Sequence, residues 1–230
     1  MRGMYGAGVD TMTITSVIFD MDGTIFSTEP IYFKCYQQAA EPMGLKFTFE
    51  LFESCIGMSV NDSSKLVKSY FGRDVDVKYL YDQCARNVEA YFAAHDVPFK
   101  PCAKETIEYF HKRGLKLGMA TSNISRWVDI LLEKRGLKGY FSSIVTFDHV
   151  SNPKPDPEVY LRSAQNLGAD VSQCLAIEDS VAGATAAISA GMRTVVVPDL
   201  KQPNSFVRAN AFRIYKSLCD MQREMDEVLG

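Results

Sequence analysis

The sequence predicts an α/β fold: a parallel sheet with helices on both faces, and an all-helical segment inserted after its first strand. Three observations carry this expectation. Short apolar runs recur and stop abruptly at polar or turn residues, as fully buried parallel strands do. Between them, apolar residues repeat at helical spacing. The alternation breaks once, across residues 28–97, where helical periodicity continues without strand-like runs.

The first run, Ser16-Val17-Ile18-Phe19, stops at Asp20. Four more cover residues 115–120, 143–147, 174–177 and 194–197. Helical patterns fill 103–113, 127–134, 157–167 and 181–190, with Gly168 and Gly191 where helix C-caps belong. In the inserted stretch, helices are expected over 30–43, 45–54, 60–71 and 77–94; the last has Leu80, Cys84, Val88 and Tyr91 at helical spacing. The connections at 25–29 and 96–102, with Pro98 and Pro101, read as paired hinges between two domains. An edge strand is expected at 212–215 and a final helix at 217–229. The predicted organisation is a loose tail over 1–15, a core built from 16–27 and 98–230, and a helical domain over 28–97.

Composition narrows the function classes. With 230 residues, 47% apolar and 23% charged, the chain can bury a proper core and is not a disordered type. A net charge of −3 provides no global basic field, so nucleic acid is not an expected partner. No stretch approaches the roughly 18 apolar residues of a membrane span, and the N-terminus does not read as a signal peptide. A cytoplasmic protein is expected, with a monomer as the default. The cysteines at 35, 55, 84, 102, 174 and 219 form no CxxC pair, and His95, His111 and His149 lack zinc-site spacing. All six are expected to be free thiols.

Four polar clusters each follow a predicted strand. In Asp20-Met21-Asp22-Gly23-Thr24, two carboxylates one residue apart repel and call for a cation, and a carboxylate, a carbonyl and waters suit magnesium. Alone, the motif reads equally as an Asp- and Gly-rich turn. An EF-hand loop is excluded, because Ile25 stands where that loop needs glycine. Thr121-Ser122-Asn123 is either a phosphate cradle of hydroxyl and N–H groups or a simple N-cap. Lys154, in Asn152-Pro153-Lys154-Pro155-Asp156-Pro157, is an ammonium on a stiff loop or an ordinary exposed lysine. Glu178-Asp179-Ser180 completes a metal shell or caps the next helix. In a parallel sheet all four clusters meet at the C-terminal edge, where ligands bind. Four coincidental caps would not bring two carboxylates, a hydroxyl, an ammonium and a second acidic pair together.

In order and spacing, these segments resemble the signature motifs of the haloacid-dehalogenase-like hydrolase superfamily, from about residue 16 to 198. Asp20-x-Asp22-Gly23-Thr24 matches the first motif, Thr121 the second, Lys154 the third and Glu178-Asp179 the fourth. The helical insert is similar to the family's small cap, and places the chain near the β-phosphoglucomutase-like phosphatases. The resemblance implies a Rossmann-like core and hydrolysis of a small phosphorylated metabolite. Asp20 would be the nucleophile that becomes an aspartyl-phosphate, and Asp22 the general acid and base. Thr121, Ser122 and Lys154 would hold phosphate. Mg2+ would be held by Asp20, the Asp22 carbonyl and Asp179, with Glu178 as a ligand or outer partner. One departure is Pro101-Cys102, where many relatives have Pro-Gly; it is expected to stiffen the hinge.

Three rival functions are separable. Dehalogenases generally lack the second aspartate, so Asp22 favours phosphate esters. Mutases of the family resemble one another in a His on the first cap helix and an Arg after the Gly-x-Ser turn, where this chain has Tyr32 and Val60. Both departures favour transfer to water. A non-catalytic interaction protein on the same fold would not require an intact set of acid, base, hydroxyl, lysine and metal residues. Trp127 is expected in the core, and Tyr79, Tyr81, Tyr91 and Phe92 in cap packing, with one or two facing substrate. Lys65, Lys68 and Arg86 read as a solvated face or as a grip on the substrate.

Overall fold

A computed structural model describes residues 13–225 and 229. In chain order the elements are β1 (Ser16–Phe19), α1 (Glu29–Ala40), α2 (Phe49–Cys55), α3 (Val60–Phe71), α4 (Val77–Ala94), α5 (Ala103–Lys112), β2 (Lys116–Ala120), α6 (Ser125–Lys134), β3 (Ser143–Val145), α7 (Glu158–Leu167), β4 (Cys174–Glu178), α8 (Val181–Ser189), β5 (Arg193–Val196), α9 (Ser205–Asn210), β6 (Arg213–Ile214) and α10 (Leu218–Arg223). All strand pairs are parallel, in the order β3-β2-β1-β4-β5-β6. The expected strands are present. That over 143–147 stops at Val145, and Phe147–His149 forms a 3-10 turn instead. The short α9 has no counterpart among the predicted elements.

Alternation along β1 builds the two layers. Val17 and Phe19 pack with Leu117, Met119, Leu175 and Ile177, beneath Ile107 and Phe110 of α5 and Leu131 of α6. Ile18 points to the other side, among Val159, Tyr160 and Ala164 of α7 and Ala186 and Ala187 of α8. β1 is the central strand and is buried throughout, which explains its unbroken apolar run. Of the expected tail, residues 1–12 lie outside the described residues. The packed core reaches back to Ile14, which is buried, and Thr15 donates its N–H to the Gln173 carbonyl.

The inserted helical segment packs chiefly on itself, α1 against α4. Ser59 caps α3 and Asp76 caps α4, each through its side chain. Its connections run side by side: Ser27 N–H reaches the Pro98 carbonyl at 2.9 Å and Lys100 N–H the Ile25 carbonyl at 2.8 Å. The Phe26 and Phe99 rings stack at 5.3 Å across that ribbon. Elsewhere Lys134 and Lys201 of the sheet-bearing part donate to Phe92 and Ile56 carbonyls of the insert.

The expectation of six free thiols fails. Cys102 and Cys219 form a disulfide, with Cα atoms 5.2 Å apart across 117 residues of sequence; the other four cysteines are free. Spacing rules look for near neighbours and cannot see a pair brought together only when α10 packs beside α5. Cys102 precedes α5 with φ of 61°, a left-handed conformation that favours glycine and costs other residues about 1–2 kcal/mol. Among the described residues, no helix is long and apolar enough to cross a membrane.

Candidate active site

The chain leaves the sheet at Asp20, whose N–H still bonds to the Ile177 carbonyl at 2.9 Å. It turns at once: Ile25 N–H reaches the Met21 carbonyl and Gly23 N–H the Phe26 carbonyl, both at 2.9 Å. Gly23 has φ of 77°, and a Cβ there would collide with the Asp179 carboxylate, so the turn needs glycine on two counts. It also sends the two aspartates to different partners.

Asp20 faces Lys154. The Lys154 ammonium donates to Asp20 Oδ1 at 2.7 Å, Glu178 Oε1 at 2.6 Å and the Ala120 carbonyl at 2.9 Å. Its side chain is only 5% exposed, which rejects the ordinary surface lysine. Glu178 is wholly buried at the end of β4, and both its oxygens are occupied. Oε1 also accepts from the Tyr160 hydroxyl at 2.9 Å. Oε2 accepts from the Asp179 and Ser180 N–H groups and the Ser180 hydroxyl. Ser180 additionally caps α8 by accepting from Gly183 N–H, so the capping reading holds for Ser180 alone. A Cβ on Gly183 would overlap the Glu178 carboxylate, so only glycine lets α8 begin this close to it.

Asp179 has a different position: among the described residues no donor reaches its carboxylate. One oxygen from each of Asp20, Glu178 and Asp179 lies within 4.8 Å of the others. Three carboxylates around one ammonium are electrostatically incomplete. Burial, then Glu178 and Asp22 together, outweigh Lys154 and push Asp20 up to about 8. Burial and the neighbouring Asp20 and Glu178 carboxylates raise Asp179 well above the usual range. Lys154 goes the other way: burial opposes its charge, but Asp20 and Glu178 outweigh it and raise its pKa. A hard divalent cation is the partner this oxygen set fits, and it would return both aspartates to their ionised forms.

Asp22 turns to neutral donors. The Tyr32 hydroxyl donates to Oδ1 at 3.2 Å and the Asn123 amide to Oδ2 at 3.0 Å. Burial raises the Asp22 pKa against the lowering effect of the Thr28 hydroxyl, the Asn123 amide and the Tyr32 hydroxyl. The N-cap reading of Thr121-Ser122-Asn123 fails, because α6 begins only at Ser125. Thr121 is buried instead, its N–H on the Val145 carbonyl at 3.0 Å and its hydroxyl accepting from Asn123 N–H at 3.1 Å. Ser122 is exposed, without a side-chain hydrogen bond among the described residues.

Sequence reasoning did not assign Asn123, Tyr160 or Tyr32 to the site. Asn123 is in a segment it singled out, but the other two meet their carboxylates only through the tertiary fold. Trp127 combines two roles. It packs on Phe92 and Tyr32, and it lines a cavity of about 330 Å3 with Tyr32, Met58, Val60, Ser63 and Tyr81. Tyr81 donates to Ser63 there, whereas Phe92 is fully buried and Tyr79 is exposed. Lys65, Lys68 and Arg86 are solvated, and none lines that cavity. A second cavity, of about 460 Å3, is lined by Glu29, Gly57, Asp179 and Lys201.

Comparison with known proteins identifies the family. The family profile described as haloacid dehalogenase-like hydrolase matches residues 17–197. A "Phosphorylated carbohydrates phosphatase" of Thermotoga maritima is 30% identical over 203 residues, covering 87% of this chain and 94% of that protein. The fructose-1-phosphate phosphatase of Escherichia coli is 30% identical over 181 residues, covering 79% and 95%. A hydrolase from Pseudomonas syringae of known structure superposes with a TM-score of 0.77 at 28% identity, covering 94% of this chain and 100% of that one. The profile match spans most of the chain and contains all four polar clusters, and the chain therefore belongs to the haloacid dehalogenase-like hydrolases.

Proposed function

We propose that this protein is a Mg2+-dependent phosphatase of small phosphate monoesters, phosphorylated carbohydrates above all, working through an aspartyl-phosphate on Asp20. The observation that carries this reading is the division between the two aspartates. Asp20 is locked to Lys154 beside the Asp179 carboxylate, while Asp22 is held apart by neutral donors. The names of the Thermotoga and Escherichia relatives support the substrate class.

Asp20, Asp179 and the Asp22 carbonyl would hold Mg2+. Glu178, its oxygens already occupied, would act one step back by aiming Lys154. Bound there, Mg2+ would neutralise charge on the transferring phosphoryl group and keep the carboxylates ionised. An Asp20 oxygen attacks phosphorus as the ester P–O bond breaks, and the Asp22 proton passes to the departing alkoxide. Asp22, now a carboxylate, takes a proton from water as that water attacks the aspartyl-phosphate, releasing phosphate and restoring Asp20. Lys154 and the Thr121 loop stabilise charge spread over the phosphoryl oxygens. The inserted helices act as a cap over residues 28–97 and exclude water.

The aromatic cavity beside Tyr32 has no lysine or arginine in its lining, and Val60 is 69% exposed at its rim. With Val60 where mutases of the family carry an arginine, that favours hydrolysis over mutase chemistry. The test is Mg2+-dependent phosphate release from a panel of sugar and polyol monophosphates. Wild type should release phosphate and Asp20→Asn should lose at least about 10³-fold. Equal, slow release by both would refute the reading.

A further inference from the structure

Asp22 is held by hydrogen bonds from neutral side chains, with no ammonium or guanidinium contact among the described residues. The Tyr32 hydroxyl donates to Oδ1 and the Asn123 amide to Oδ2, beside the buried Thr28 hydroxyl, and Tyr32 and Asn123 are bonded to each other: Asn123 Nδ2 lies 2.6 Å from the Tyr32 hydroxyl oxygen. The triangle spans both parts of the fold. Asp22 and Asn123 stand on loops at the sheet edge, and Tyr32 stands on α1 of the inserted segment.

Both donors are fixed from behind. Asn123 Oδ1 accepts from Ile124 N–H at 3.2 Å, and its carbonyl accepts from Phe147 N–H at 2.9 Å. The opposite amide orientation would set NH2 against the Ile124 N–H and oxygen against the Asp22 carboxylate, so only one orientation satisfies the network. The Tyr32 ring is held edge-on to Phe92 at 6.1 Å and tilted on Trp127 at 6.3 Å. The hydroxyl therefore has little freedom to leave Asp22 while α1 remains seated.

We infer that Tyr32 and Asn123 are positioning residues for Asp22: together they aim its carboxyl group at the leaving-group oxygen, and Tyr32 makes that aim depend on the inserted helices being in place. This rests on the phosphatase reading. A proton donor works only when held within hydrogen-bond reach of its acceptor, and a carboxyl group free to rotate about its side-chain torsions spends most of its time elsewhere. The triangle removes that freedom.

The leaving group supplies the test. An alkoxide departs poorly without a proton, whereas p-nitrophenolate departs without one. The ratio of kcat/KM for p-nitrophenyl phosphate to that for the best sugar monophosphate therefore isolates proton delivery. Tyr32→Phe, which removes only the hydroxyl, should lower kcat/KM for the sugar phosphate by about 10²-fold and for p-nitrophenyl phosphate by less than about 3-fold. Asn123→Ala should show the same selectivity, and Asp22→Asn should set its upper limit. Unchanged thermal melting of Tyr32→Phe confirms that it folds. A Tyr32→Phe variant that loses both substrates equally, or neither, overturns the inference while leaving the phosphatase reading intact. Wild type that turns over neither substrate overturns both.

Discussion

The Lys154 ammonium lies 2.6 Å from Glu178 Oε1, and Glu178 is the group that aims the lysine at Asp20. The consequence is a division of labour within the acidic pair that ends β4. Glu178→Gln keeps the shape but weakens the hold on Lys154, whereas Asp179→Asn removes a carboxylate that no donor reaches among the described residues. Glu178→Gln should act mainly on kcat, by about 10–100-fold. Asp179→Asn should raise the Mg2+ concentration for half-maximal activity by at least about 10-fold. Mg2+ titrations of the two variants' phosphatase activity distinguish these outcomes.

Stability should depend on pH in an unusual sense. Asp20 is pushed up to about 8 from an ordinary value of 3.8, so between those values the folded chain binds more protons than the unfolded one. Stability without metal is then fully present in acid and falls as pH rises through that window. Asp179 and Asp22 shift in the same direction. Mg2+ should reverse the trend by favouring the ionised forms. Melting curves at about pH 5 and pH 8, with Mg2+ and with EDTA, should show stabilisation by Mg2+ that is larger at the higher pH.

Gly183→Ala should behave against helix propensity. In an exposed helix this change stabilises by roughly 1 kcal/mol. Here the added methyl overlaps the Glu178 carboxylate and would displace it from Lys154 and Tyr160. The variant should melt lower than wild type and lose activity, measured by calorimetry and phosphate release on the same preparation.

Much of this site was legible in the sequence because the topology is simple. A parallel sheet brings the residue after each strand to one edge, so Asp20, Thr121, Lys154 and Glu178 could be placed together without knowing any distance. What the sequence did not disclose are contacts made by elements that approach from elsewhere. Tyr32 reaches Asp22 only because α1 packs over the sheet edge, and Tyr160 reaches Glu178 from the first turn of α7. The inward partners of Trp127 are likewise set by α4. The strand over 143–147 ended early because Thr146 and His149 close a capped turn on themselves.

The disulfide is the clearest case of information absent from local pattern, and it makes its own prediction. Denatured but unreduced protein should titrate four thiols, and reduced protein six. Breaking the bond opens a long loop, and Cys219→Ser should cost about 2–4 kcal/mol in thermal or urea unfolding. Cys102→Gly breaks the same bond but relieves the left-handed φ of 61°, and should be less destabilising by about 0.5–1 kcal/mol.

The proposed phosphatase reaction requires that Asp20 carry the phosphoryl group between substrate and water. Trapping tests it most directly. Wild type is acid-quenched during turnover of an unlabelled sugar monophosphate with Mg2+, reduced with tritiated borohydride, which expels the phosphate and leaves its own label, and mapped by peptide mass spectrometry. Label on the peptide containing Asp20, with that aspartate converted to homoserine, is the predicted result. Sustained phosphate release with no modification at Asp20, or with modification at a different carboxylate, would contradict it.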